Sequence, residues 1–216
     1  MKDLIKKIIY LFCPILKKYH RFLQSQTSTV TFKQFCGFWL SKDKRTYWPV
    51  HPTSIVTHPN NIYVGINSKL GVQSNNYIQG NGGIDIGDYV TIARNVGIIS
   101  GNHDVYDHTK HINKEVRIGD FCWIGMNSMI MPGVILGPRT VVGAGSVVTK
   151  SFPDGFCVIG GNPAKLIKEL DKDKFVPTKY EEEYYGYVPK EEFEEFAGEY
   201  LKRNRYFERM IEKAKK

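Results

Sequence analysis

The sequence predicts a mainly β protein, a parallel β-helix of hexapeptide repeats over 51–163 with helical extensions at 1–50 and 164–216. Three observations predict it. Aliphatic residues recur every sixth position through Ile86, Ile92 and Ile98, then through Ile118, Ile124, Ile130, Leu136, Val142 and Val148. Gly87, Gly119, Gly125, Gly137 and Gly143 each follow one of them. A small or β-branched residue stands two places before each, as Val90, Cys122, Ser128 and Thr140 do. A period of six fits neither an amphipathic helix nor an alternating strand. It is a solenoid period, and so many phased matches argue against an ordinary β sandwich.

Each hexapeptide is expected to make one short strand and one corner. The aliphatic residue points inward and stacks on its equivalents, and three hexapeptides close one triangular coil. The expected interior columns are Ile86/Ile118/Leu136, Ile92/Ile124/Val142 and Ile98/Ile130/Val148. The glycine after each aliphatic residue is expected to use its freedom of φ and ψ at the corner.

Residues 1–24 carry apolar positions at helical spacing (Leu4, Ile5, Ile8, Ile9, Phe12, Ile15, Leu16, Tyr19, Leu23), with lysines opposite. Pro14 is expected to break that helix. The apolar run is shorter than the roughly 20 residues of a membrane span. The helix is expected to cap the solenoid or pack within an assembly of copies; peripheral contact with an anionic membrane is the rival reading. Residues 25–50 read as polar and aromatic, and HPTSIVTHPN as an irregular first coil. Val64, Leu70 and Ile78 extend the columns upward, and QGNGG before Ile84 reads as a corner bulge.

The repeat has one large break. A loop within 99–117 holds His103, His108 and His111 with Asp104 and Asp107. Insertions in solenoids are extruded and often carry function. After the last coil, Ala164 to Asp171 is expected to be a short amphipathic helix. A final helix from Lys190 is expected to pack through Phe193, Phe196, Ala197, Tyr200, Phe207, Met210 and Ile211. It does not read as a nucleic-acid binder.

The net charge of +8 comes entirely from residues before His51, where ten basic residues face two acidic ones. That bias points to an anionic neighbour for the N-terminal segment. Cys13, Cys36, Cys122 and Cys157 form no C-x-x-C or His/Cys cluster, so they read as reduced thiols of a cytoplasmic protein. The three loop histidines are too crowded for metal ligands at solenoid spacing, so the reading includes no metal.

The stretches CWIGMNSMIMPGV, GAGSVVTKSFP and GNPAKLIKEL resemble the hexapeptide-repeat acyltransferase superfamily, within it the serine, maltose, galactoside and xenobiotic O-acetyltransferases. The resemblance covers roughly Val64 to Leu170, about half the chain. It implies a left-handed β-helix, a homotrimer and acetyl-CoA as cosubstrate. It places the general base at His103, in GNHD. The imidazole would be oriented by Asp104, Asp107 or a backbone carbonyl. It sets Trp123 near the pantetheine arm and an oxyanion donor among the backbone N–H groups of Trp123, Gly125 and Met126. It assigns Ala144, Thr149, Lys150, Lys165 and Lys168 to CoA, and Asn75 and Asn81 to the acceptor. The lysines stand where several relatives have arginine, which exchanges a bidentate fork for a point charge. The acceptor implied is a sugar or surface-polysaccharide precursor, handled in the cytoplasm or peripherally at the inner face of the membrane. Rival readings are an N-acetyltransferase of a nucleotide-linked amino sugar and a non-catalytic scaffold.

Overall fold

The computed structural model of the chain describes residues 10–25, 30–40, 46–178 and 180–201. The start of the first helix, and the part of the last that carries Phe207, Met210 and Ile211, lie outside the described residues. Three parallel sheets form the faces of a triangular prism. The first stacks Ile62–Val64, Ile84–Ile86, Val116–Ile118 and Ile135–Leu136. The second stacks Thr91–Ile92, Trp123–Ile124, Val141–Val142 and Cys157–Gly161. The third stacks Ile55–Thr57, Tyr77–Gln79, Gly97–Ile99, Met129–Ile130 and Val147–Val148. The three expected columns are present in register, and every member is buried. Val64 and Ile78 extend two of them, paired with Ile86 and Ile98. HPTSIVTHPN is more regular than expected, because Ile55–Thr57 already pairs with the third sheet.

The glycines act differently from the expectation. Gly87, Gly119, Gly125, Gly137 and Gly143 do not have positive φ. At most of them the constraint is the coil next door. A Cβ on Gly119 would lie 2.7 Å from Gly137 C and Pro138 N, and one on Gly125 would lie 2.6 Å from Ala144 N. Gly143 is the exception, its nearest contact being ordinary at 3.4 Å from Ile159 O. The left-handed residue comes two places later, at Asn67, Tyr89, Phe121, Asn127 and Arg139, with φ between 51 and 58°. Asparagine tolerates that region, whereas bulky residues adopt it only when their surroundings hold them there. Here the Tyr89 and Phe121 rings stack on each other, 5.0 Å apart and 8° from parallel.

The predicted helix from Ala164 to Asp171 is instead a strand, Ala164–Glu169, antiparallel to Cys157–Gly161 across the turn at Asn162–Pro163. Cys157–Gly161 is the last parallel strand of its sheet and would otherwise present an unpaired edge. Pairing there outweighs the helical spacing of Leu166, Ile167 and the lysines.

From Asp171 the chain runs back up the corner between the first and second sheets. Phe175 packs on Phe121 and Phe156, and Tyr180 on Tyr89. It ends as a cap on the first coil, built jointly with the N-terminal segment. Residues 10–12 are helical, and the helix is interrupted at Cys13. Helix α1 (Pro14–Gln24) follows with Pro14 at its first position, and α2 (Phe32–Leu40) occupies a stretch read only as polar and aromatic. Phe22 and Phe35 from these helices meet Tyr184 and Tyr187. Helix α3 (Phe193–Tyr200) packs Phe193 on Tyr47, Tyr63 and Tyr185. The N-terminal basic bias therefore has an anionic neighbour within this chain. Lys18 pairs with Glu192 at 3.0 Å and Arg21 with Glu182 at 2.7 Å. Such exposed pairs contribute about 0–1 kcal/mol each, so the aromatic packing holds the cap and the charges orient it. Among the described residues no helix is long and apolar enough to cross a membrane.

Cys122 and Cys157 are buried in the solenoid. Burial pushes the Cys122 thiol up to about 12 from an ordinary 9.0, and it donates to Gly137 O. Since the thiolate is the reactive species, native protein at pH 8 is expected to leave Cys122 unlabelled by an aromatic disulfide reagent, with labelling appearing on unfolding. Mass spectrometry of the labelled protein checks this, and rapid native labelling would show that this column opens.

Candidate functional site

The extruded loop is an ordered hairpin. Gly101–His103 pairs antiparallel with His111–Asn113, placing His103 opposite His111 with ring centroids 4.4 Å apart. Its base is seated by the glycines of the QGNGG bulge and of the hairpin itself. A Cβ on Gly82 would lie 2.8 Å from Lys114 N, and one on Gly101 would lie 3.2 Å from Asn81 Cβ. Asn81 is thus at the foot of the hairpin.

His103 is exposed at the hairpin's end. Its Nδ1 lies 2.7 Å from the His108 carbonyl oxygen. A carbonyl only accepts, so Nδ1 carries the proton and donates, and in the neutral ring the lone pair is on Nε2. The two aspartates are committed elsewhere. Asp104 Oδ1 accepts from the N–H groups of Tyr106 and Asp107. Asp107 accepts from Thr109 and pairs with Lys110 at 3.0 Å, and those bonds hold its carboxyl below the usual range. Of the three orienting groups left open by the sequence, the carbonyl is the one in contact, and Asp104 and Asp107 shape the turn.

The remaining expected residues fall on separate edges of the prism. Thr149 and Lys150 share the hairpin's edge, two coils below it, or roughly 10 Å at the usual inter-strand spacing. Gly125, Met126 and Ala144 lie together at the corner between the second and third sheets, where Gly145 N–H donates to Met126 O. Asn75 is exposed at that same corner, higher up and left-handed, so it does not meet Asn81 within one copy. Trp123 projects from the second sheet, 56% exposed, on the face opposite the hairpin's edge. Lys165 and Lys168 extend that sheet as exposed residues of its last strand. Of the three backbone donors considered for an oxyanion, Trp123 N–H and Gly125 N–H are already used by Thr140 O and Val142 O. Among the described residues Met126 N–H has no partner, which leaves it as the available donor.

Sequence reading missed a cleft beside Trp123, where Arg139 and the returning residues Thr178 and Tyr180 face the second sheet. The signal was present in the paired IGDY and IGDF corners, Ile86–Tyr89 and Ile118–Phe121, whose aromatic rings attract the returning chain.

Comparison with known proteins follows the same lines. Residues 115–150 match the family model described as bacterial transferase hexapeptide (six repeats). The galactoside O-acetyltransferase of Escherichia coli (strain K12) is 37% identical over 131 residues, covering 58% of this chain and 63% of its own. A provisionally named acetyltransferase of Saccharomyces cerevisiae is 34% identical over 135 residues, covering 61% of this chain and 67% of its own. A galactoside acetyltransferase solved in complex with coenzyme A superposes with TM-score 0.52 at 26% identity, over 75% of this chain and 87% of that one. The chain belongs to the hexapeptide-repeat acetyltransferase family, and its solenoid is the left-handed β-helix of that family. The match spans a little under two thirds of the Escherichia coli relative's length.

Proposed function

We propose that the chain is an acetyl-CoA-dependent O-acetyltransferase acting on a sugar or surface-polysaccharide precursor, with His103 as general base. The observation that carries this reading is the His103 Nδ1 bond to the His108 carbonyl, which in the neutral imidazole makes Nε2 the nitrogen that can accept a proton. In the step proposed, Nε2 takes the acceptor hydroxyl proton as that oxygen attacks the thioester carbonyl carbon. The tetrahedral oxyanion accepts from the Met126 N–H. Its collapse breaks the C–S bond, and the CoA sulfur takes the proton back from the imidazolium. Base catalysis supplies about 10²–10⁴-fold of rate, and one oxyanion donor about 10²–10³-fold.

The site is proposed to form between copies in a homotrimer. His103, Thr149 and Lys150 share one edge, while Trp123, Met126 and Ala144 lie across the third sheet from it. Bringing the hairpin of one copy against the corner between the second and third sheets of the next assembles both sets and flanks Trp123 on its Met126 side, leaving its Arg139 side open to the cleft. Such a large aromatic side chain gains most from an apolar partner at one end and a polar one at the other. Sugar as the acceptor class is supported by the galactoside acetyltransferases that the chain resembles.

Free-thiol release from acetyl-CoA against a panel of neutral, acidic and amino sugars, with mass spectrometry of products, tests the reading. An ester-linked acetyl group on a sugar hydroxyl is expected. An amide product would transfer the reading to amino-sugar N-acetylation, and no thiol release with any sugar would remove the enzymatic reading.

A further inference from the structure

The cleft beside Trp123 has a volume of about 220 Å³. One wall is the solenoid, with Thr91, Phe121, Trp123 and Arg139. The other is the returning chain, with Thr178 and Tyr180. That volume is below the roughly 300–1,000 Å³ of sites for drug-sized ligands, so the cleft admits about one ring.

Its lining is selective. Trp123 offers an exposed indole face between the in-register residues Thr91 and Val141. Arg139 is held left-handed at φ 58°, with its guanidinium carbon 4.3 Å from the centre of the Phe175 ring. Stacking occupies one face of the guanidinium and leaves the N–H edges for a planar anion. Among the described residues no carboxylate pairs with Arg139. Thr91, Thr178 and Tyr180, each carrying a hydroxyl, are among the residues that line the same space. An aromatic face, hydroxyl-bearing neighbours and a cation that no carboxylate among the described residues pairs with together suit a sugar ring that bears a negative charge.

We propose that this cleft binds an acidic sugar unit of the acceptor, with the sugar's anionic group on the Arg139 guanidinium and its ring against Trp123. The proposal rests on the sugar-acceptor reading above and deepens it: the acceptor is anionic, and part of its recognition comes from Arg139 and from a returning segment that lies beyond the repeat. The phosphates of the cosubstrate share this chemistry, and the test separates the two sources.

An NMR titration of the full chain follows the Trp123 indole N–H, assigned with Trp123→Phe, as D-glucuronate or D-glucose is added. Glucuronate is expected to bind about tenfold more tightly, in keeping with the greater strength of charge-assisted hydrogen bonds. Arg139→Asn is the variant of choice, because asparagine tolerates the left-handed backbone that position needs. It is expected to bring the two affinities within about twofold of each other. Should that variant not fold, Arg139→Lys keeps the charge but loses the fork, and the ratio is expected to fall about threefold. Saturating CoA is expected to leave glucuronate binding unchanged. Equal affinities in the unaltered chain, or a ratio that survives the Arg139 variant, would overturn the proposal. Displacement of glucuronate by CoA would overturn it too, giving the cleft to the cosubstrate. The readout does not depend on turnover. Selective binding with no thiol release sinks only the enzymatic reading, and thiol release without selectivity sinks only the subsite.

Discussion

His103→Ala is expected to lower kcat by about 10²–10⁴-fold while the melting temperature stays within a few degrees of the unaltered chain. The side chain is exposed, and its one hydrogen bond is to the carbonyl of His108, so its removal opens no cavity. Two companion variants make the result specific. His108→Ala keeps the carbonyl that holds Nδ1 and is expected to lose little activity. His111→Ala removes the ring 4.4 Å from His103 and is expected to cost less than the loss of His103 itself. Steady-state kinetics with saturating acetyl-CoA read all three. If His103→Ala turns over near the unaltered rate, or His108→Ala is equally inactive, the base lies elsewhere.

Gly119→Ala is expected to destabilise the solenoid by about 3 kcal/mol, the upper part of the usual range for forced overpacking. The added Cβ would sit 2.7 Å from backbone atoms of Gly137 and Pro138, and backbone on both sides can yield only by separating two coils. The comparison is Gly143→Ala, where the nearest atom is at 3.4 Å and the backbone does not have positive φ. That variant is expected to be near neutral. The two glycines are alike in the sequence, each following an inward aliphatic residue, so unequal effects would isolate the inter-coil approach as the cause. Urea unfolding of the two variants side by side is the measurement, and equal stabilities would refute the distinction.

The interior of the solenoid was legible because it is written locally. Whether Ile124 faces inward depends on its neighbours at six-residue steps, and those are visible in one dimension. The same holds for the position of the hairpin, which is where the steps stop. The strand at Ala164–Glu169 was not legible, because its cause is an edge left open by Cys157–Gly161. The left-handed Phe121 and Arg139 were hidden for a similar reason, since what holds them includes Phe175, which arrives from outside the repeat. For the candidate site, GNHD singled out His103 as the candidate base, but the partner of its Nδ1 depended on how the hairpin closes. Asp104 and Asp107 are plausible by spacing, yet the turn uses both. The edges on which Trp123 and His103 lie are likewise a matter of the coil count modulo three, which emerges only once all three sheets are assigned.

Lys18 and Glu192, joined across the cap, are 174 residues apart in the chain. Solenoids ordinarily gain stability coil by coil from nearest neighbours, so an emerging polypeptide can settle progressively from its first repeat. Here the lid of that first repeat is made half from the segment before the repeat and half from the segment after it. During synthesis the earliest coil to form is therefore the last to be sealed. Once sealed, opening of either segment releases the other, so the two flanks of an otherwise linear stack are expected to behave as a single cooperative unit.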